Sequence, residues 1–345
     1  MSFLFSKNVK LGWRFFLIQN PVKRNGPIIN RHNPQNLSYR SCLGGLGEIL
    51  MVMDIQNQKP HGPFKLTRVG VTGIKKPINV QRPNKVVTLT AQIDVFVDLP
   101  SSQKGSHLSR NVEVISEILD KSVREPVSSL EVLCEQICHK LLERHEYATY
   151  SEVHTNADYF IEKVLNSGKK SLEGYKLIAK ASAKRDDDTS IKKCIGVEVI
   201  GMTTCPCAME TVRSKLEEQH PEASEYLKKI PVVTHNQRNV TTLTLEVPEG
   251  YDVEADDLIE IVEDSLSSPT YEILKREDEA QITLAAHENP KFVEDVVRDI
   301  LGKILEKYPN FPNSVVITVR SESEESIHKH NAYAERVTTL GELRK

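Results

Sequence analysis

No run of about eighteen apolar residues, the length a helical membrane span needs, occurs anywhere in the 345-residue chain. The net charge of −3 lacks the basic excess of a nucleic-acid binder, so any basic surface must be local. The six cysteines, Cys42, Cys134, Cys138, Cys194, Cys205 and Cys207, form no regular framework. A chain of this length does not depend on disulfides, so reduced thiols in a cytoplasmic protein are expected. Familiar catalytic loops are missing too. No Gly-x-x-x-x-Gly-Lys-Ser/Thr sequence is present, which argues against a P-loop nucleotidase. A glycine-rich dinucleotide fingerprint in a strand–helix setting and a Gly-x-Ser-x-Gly elbow are likewise absent.

Acidic residues are absent from positions 1–47, whereas Lys7, Lys10, Arg14, Lys23, Arg24, Arg31 and Arg40 all fall there, with the only tryptophan, Trp13. This composition suits an organelle transit peptide. The expectation preferred here is duller: an over-extended start with initiation at Met51 or Met53, or a disordered tail. Residues 1–60 are therefore set aside as an N-terminal extension.

What remains is ordinary in bulk and specific in detail. Apolar residues make up 39% and charged residues 27%, as in soluble globular proteins, and the length allows two domains. Strands are predicted over 64–77 and 85–98, where Val86–Val97 is rich in β-branched residues. Helical periodicity follows over 111–122 and 129–145, then strand patterns near 148–164, 173–183 and 193–202. A second cycle has a strand at 240–247, helices at 256–266 and 290–308, and a strand at 314–321. Two related α+β units are expected, over 61–190 and 191–345. The polar stretch 208–230 reads as an exposed helical insertion in the second.

Cys205-Pro206-Cys207 and Thr234-His235-Asn236-Gln237-Arg238 carry the chemistry. Thiolate and imidazole are the donor types that hold Zn(II) or Fe(II) in catalytic sites. The spacing is not the Cys-x-x-Cys of structural zinc. In extended backbone the two sulfurs would share a face. Two small residues buried at a strand end, and a surface histidine, would read the same on spacing alone. Ser326-Ile327-His328-Lys329-His330 adds two histidines, or a solvated tail. Lys275-Arg276-Glu277-Asp278-Glu279 offers carboxylates, although most such runs are wet surface. Glu294 falls in the first turn of a predicted helix, where the helix dipole alone favours it. Lys104-Gly105-Ser106-His107-Leu108-Ser109-Arg110 sets cations and hydroxyls before a helix, a setting that suits phosphate.

In order, Asp98-Leu99-Pro100-Ser101-Ser102-Gln103-Lys104-Gly105-Ser106-His107-Leu108-Ser109-Arg110, the Cys205 and His235 segments, Leu274–Glu279, Glu288–Asp295 and Glu325–His330 resemble the type IB GTP cyclohydrolase family. The resemblance spans roughly 64–345 and is closest to the archaeal branch that feeds methanopterin synthesis. It implies an α+β tunnelling fold: two tandem ββααββ modules in a chain that assembles, as a homodimer or homotetramer, into an oligomeric barrel. It implies Cys205 and His235 as catalytic metal ligands, completed by Glu279 and by His328, with His330 as the alternative. Cys207 would stand behind them. Glu294 would anchor the guanine ring, and Lys104, His107, Ser109 and Arg110 would contact ribose or phosphates. Fe(II) is the implied metal, and the donor set also admits Zn(II) or Mn(II). The implied reaction converts GTP to 7,8-dihydroneopterin 2′,3′-cyclic phosphate, formate and pyrophosphate. Two alternatives stand beside it: release of the triphosphate for folate, and an NADPH-dependent nitrile reductase on the same fold with Cys205 as nucleophile. Neither nucleic acid nor membrane is an expected partner.

Overall fold

The computed structural model describes residues 55–62, 64–82, 85–185 and 190–345. Most of the N-terminal extension, including all of 1–47, lies outside the described residues. Its last part, with a short 3-10 turn at Ile55–Asn57, packs on the loop after the second strand: Lys104 N–H donates to Gln58 O (2.8 Å) and Gln56 O (3.1 Å).

Two long strands open the described chain, β1 (Leu66–Arg82) and β2 (Lys85–Leu99). Helices α1 (Leu108–Arg124) and α2 (Leu130–Arg144) follow, then β3 (Tyr150–Val164) and β4 (Lys170–Lys184). The pattern begins again with β5 (Ser190–Thr204). The insertion comes next, as α3 (Pro206–Gln219), a 3-10 turn and α4 (Ser224–Leu227), before β6 (Asn236–Pro248). Then come α5 (Ala255–Glu263), the two-residue β7 (Ser268–Pro269), α6 (Arg276–Glu288), α7 (Val293–Lys307), β8 (Val316–Ser323), β9 (Ala332–Thr339) and α8 (Leu340–Leu343). Removing the insertion, β7 and α6 leaves ββααββ twice, the α+β tunnelling fold.

All neighbouring strands are antiparallel, in the order β1-β2-β3-β4-β5-β6-β8-β9, with β7 against β5. Burial alternates along β3, β4 and β6, so each of these strands has one face under the helices and one face outward. The core lies between the sheet and α1, α2, α5 and α7, and contains Ile93, Leu133, Ile137, Leu177, Leu243, Leu258 and Ile300. The outward face is polar, with ion pairs Arg68–Glu152, Lys176–Glu198 and Lys192–Glu246. β1 and β9 each pair with a single strand among the described residues and form open edges. Among the described residues no helix is long and apolar enough to cross a membrane.

Strand direction fixes what can meet. Leu99, Tyr150, Lys184, Ser190 and Pro248 lie at one end of the sheet. Val164, Lys170, Thr204, Asn236 and Ser323 lie toward the other. The 15 residues of β5 run from one end to the other, a path of about 50 Å at roughly 3.3 Å per residue.

Two elements differ from the sequence expectation. Residues 276–288 form α6 although they carry almost no apolar stripe; only Asp278 and Ala286 are buried. Strand β9 was not expected because, as an edge strand, it buries little more than Thr338.

Candidate functional site

The chain turns from β5 into α3 at Cys205. Pro206 occupies the first helical position, where its missing N–H costs nothing, and Cys205 is the N-cap, its sulfur accepting from Ala208 N–H (3.4 Å). Cys205 and Cys207 therefore do not share a strand face as extended backbone would require: Cys205 is half-buried and Cys207 is exposed on the first turn.

After the insertion the chain returns to the same point at His235. Cys205 N–H donates to His235 O (3.1 Å), and Thr234 Oγ1 donates to Cys205 O (2.8 Å). His235 immediately precedes β6, with its Nδ1 3.0 Å from Gln237 Oε1 and 3.5 Å from Glu325 Oε2. Gln237 Nε2 donates to Thr203 Oγ1 and Glu325 Oε1 (both 3.3 Å), so its oxygen faces the imidazole. An oxygen acceptor requires hydrogen on Nδ1, which leaves the Nε2 lone pair for a metal. The ring of His328 stands edge-on to that of His235, with centroids 6.2 Å apart, and His330 stacks on His328 at 5.1 Å.

Beneath His235 runs a buried polar ladder across β5, β6 and β8. Thr203 Oγ1 meets Ser323 Oγ (2.8 Å), and Asn239 Nδ2 donates to Ser321 Oγ (2.9 Å) and Ser323 Oγ (3.0 Å). Thr241 Oγ1 donates to Asn239 Oδ1 (2.7 Å). Glu325 Oε2 is buried without a hydrogen-bond partner among the described residues. A buried carboxylate oxygen is costly unless a positive group meets it, and the donors gathered around it fit a metal in kind. As placed, no three His, Cys, Asp or Glu side chains among the described residues stand close enough to hold one.

Glu279 lies farther off. Thr204 Oγ1 donates to Ala286 O (2.7 Å), which anchors the end of α6 beside Cys205. Glu279 is exposed seven residues earlier, roughly 10 Å along the helix. Its neighbour Asp278 hooks this first turn to the β3–β4 hairpin, accepting from Ser167 Oγ (2.7 Å), Ser167 N–H (3.1 Å) and Lys275 N–H (3.1 Å). Glu294 is exposed on the first turn of α7, at the Cys205 end: Lys291 N–H donates to Thr204 O (3.1 Å). A groove of about 430 Å³ separates the insertion from the end of α6, with Arg213, Lys228, Lys229 and His287 on its walls.

Lys104, His107, Ser109 and Arg110 lie elsewhere. His107 is the N-cap of α1, and Arg110 donates to Arg144 O (3.0 Å). The preceding Asp98 accepts from Thr149 N–H and Oγ1 (both 2.7 Å) and Tyr150 N–H (2.9 Å), and pairs with Lys65 (2.8 Å). Burial alone would push the Asp98 carboxyl up; the Lys65, Thr149 and Tyr150 hydrogen bonds outweigh it and hold it below its usual range. This segment occupies the Leu99 end of the sheet, opposite Cys205.

Sequence reasoning missed Gln237 and Glu325 as site residues. Gln237 was readable, because in a strand it shares the face of His235 two positions back. Glu325 carried no signal beyond its place three residues before His328.

Residues 52–334 match the family model of type I GTP cyclohydrolase folE2. The chain is 48% identical over 302 residues to GTP cyclohydrolase MptA of Methanosphaera stadtmanae, covering 85% of this chain and 96% of that one. It is 43% identical over 302 residues to GTP cyclohydrolase MptA of Methanocaldococcus jannaschii, with 85% and 96% covered. Among solved structures it is similar to uricase from Arthrobacter globiformis, at 7% identity over 79% of this chain and 93% of that one, with a TM-score of 0.46. So slight a structural likeness carries no argument. The sequence matches do, and the chain belongs to the type I GTP cyclohydrolase folE2 family.

Proposed function

We propose that this GTP cyclohydrolase of pterin biosynthesis is a metal-dependent cytoplasmic enzyme that releases 7,8-dihydroneopterin 2′,3′-cyclic phosphate, formate and pyrophosphate. The observation that carries the reading is that Cys205 and His235 are joined through the backbone, and His235 and His328 ring against ring, at one end of the sheet beside a buried carboxylate oxygen without a hydrogen-bond partner among the described residues. Family membership sets the nitrile reductase aside. Release of the triphosphate remains the second reading for the product.

Cys205, His235 and His328 are the proposed donors, with His330 stacked behind His328. Two carboxylates compete for the remaining place. We assign metal contact to Glu279, as the resemblance implies, and orientation of His235 to Glu325, as the geometry supports. Fe(II) is the proposed metal; this mixed donor set would also take Zn(II) or Mn(II). When bound, such an ion supplies Lewis acidity and brings the pKa of a water near neutrality. Gln237 and Glu325 keep hydrogen on Nδ1 of His235. Glu294 can accept two N–H bonds from a guanine ring.

One copy of the chain cannot bring Lys104, His107, Ser109 and Arg110 to this centre, because they lie at the opposite end of the sheet. A second copy can, and the open edges β1 and β9 offer a means of assembly. A homo-oligomeric barrel with sites shared between copies follows. Mixing Cys205→Ala with Arg110→Ala chains should then restore part of the activity that each lacks alone. Complete inactivity of the mixed oligomer would exclude a shared site.

The direct test is an anaerobic assay with Fe(II) and GTP, with products identified by mass spectrometry. The cyclic phosphate is expected. The triphosphate would move the enzyme to the second reading, and intact GTP with full metal occupancy would overturn both.

A further inference from the structure

A chain of buried hydrogen bonds lies behind the Lys104–Arg110 segment, and no catalytic role described above uses it. Ser106 Oγ is 2.8 Å from Tyr147 OH. Tyr147 OH is 2.9 Å from His145 Nδ1, and His145 Nε2 is 2.6 Å from Asn111 Oδ1. His145 and Asn111 are 0% exposed and Ser106 is 6% exposed, so water does not compete for these bonds.

The direction of the chain can be worked out. Asn111 Oδ1 only accepts, so His145 Nε2 carries hydrogen. Burial, with the nearby charges of Arg110 and His107, pushes the imidazole down to about 4, so the ring is neutral near pH 7. Nδ1 is then a bare lone pair, and Tyr147 must donate to it. A tyrosine hydroxyl has one hydrogen, so its oxygen is left to accept from Ser106. The bonds run one way, from Ser106 through Tyr147 and His145 to Asn111.

Both ends of this chain belong to the same short stretch. Ser106 precedes the N-cap of α1 and Asn111 lies in its first turn. Between them are His107, Ser109 and Arg110. The two central residues come from the α2–β3 connection, a separate part of the fold. The loop is braced on its other side, where Gly105 N–H donates to Gln56 O (3.1 Å) and Gln103 Nε2 to Gly105 O (2.8 Å). Removing one bond leaves a buried polar group unmet, which is costly. Moving Ser106 to recover it would turn the start of α1 and its cations.

We propose that His145 and Tyr147 are positioning residues that hold the start of α1 in the form that receives the phosphate chain of the substrate. The proposal rests on the reading that Lys104, His107, Ser109 and Arg110 contact phosphates. Tyr147 and His145 touch no substrate themselves. Because the relay supplies no metal donor and acts only through the side chains that contact phosphate, it should govern binding and leave the chemical step alone.

The test uses the full chain and inorganic tripolyphosphate, titrated by calorimetry into wild type, Ser106→Ala, Tyr147→Phe and the double variant. Tyr147→Phe keeps the ring and its packing. Ser106→Ala, which cuts one of these bonds, is expected to weaken binding by about three- to tenfold, and Tyr147→Phe, which cuts two, by at least as much. The double variant should be no worse than the weaker single, because both cut one chain. KM for GTP should rise in step, with kcat and metal content unchanged. Wild-type affinity in Tyr147→Phe, with only a lower melting temperature, would reduce the relay to core packing and overturn the proposal. Failure of the wild type to bind tripolyphosphate would overturn it as well. Tripolyphosphate binding that follows the expected pattern in an enzyme that leaves GTP intact would sink the cyclohydrolase chemistry while the relay stands.

Discussion

The two ends of the sheet are built in opposite ways. At the Leu99 end most of the buried polar groups are paired: Asp98 satisfies Thr149 and Tyr150, and His145 is bonded on both nitrogens, while Asn111 Nδ2 has no hydrogen-bond partner among the described residues. At the Cys205 end the base is rigid but the tip is open. The ladder of Thr203, Gln237, Asn239, Ser321 and Ser323 is buried, yet His328, His330, Glu279 and Glu294 are exposed and Glu325 has an oxygen unmet. The first arrangement is held together within one chain. The second is completed by something that arrives, whether ion, substrate or neighbouring copy. On the proposed roles, preorganisation falls where a flexible phosphate chain would be gripped, and freedom is kept where a ligand set would have to close.

The largest break in this contrast is Cys205→Ala. Turnover of GTP should fall to background while circular dichroism stays native, since the N-cap can be lost for about 1 kcal/mol. Retained activity would remove the thiolate from the mechanism. The second break is at the other end and needs no mutation. His145 has a folded pKa of about 4 against an unfolded value of 6.5. The unfolded chain binds its proton first as the pH falls, so stability is full above about 6.5 and declines toward pH 4, by about 3 kcal/mol in all. Urea denaturation across that range checks it, and a flat profile would show that the imidazole is not held neutral. Third, Glu294→Ala should raise KM for GTP by about 10- to 100-fold, as expected for hydrogen bonds to a charged group, with metal content intact. Metal loss in that variant would give Glu294 a different role. The finest cut separates the two carboxylates. Glu325→Ala should weaken metal affinity by about tenfold through the freed His235 ring, with Glu325→Gln restoring most of it. Equilibrium dialysis against Zn(II) reads this directly, and unchanged affinity would return Glu325 to the surface network.

Much of this was legible in the sequence because burial alternates cleanly in β3, β4 and β6 and because α1 and α2 carry apolar stripes. The same logic hid α6 and β9, which bury almost nothing and are held by partners distant in sequence. Asp278 illustrates this: in sequence it is one charge in a run, whereas in the fold it pins α6 to Ser167. The proposal of Cys205 and His235 as donors came from residue type and motif order. Their adjacency could not be read from either, because it depends on two hydrogen bonds across the insertion. Nor could sequence show that the phosphate-type segment lies at the far end of the same sheet, since motif order carries no distance.

The open edges β1 and β9 have a consequence of their own. They are unlike surfaces, 17 and 8 residues long, so joining one to the other repeats the same step with each added copy. Such a step either returns to its start as a closed ring or continues as a filament. The curvature of a single sheet decides between these outcomes. In the proposed ring, a substitution that flattens β1 would therefore favour fibre over closure without touching the chemistry.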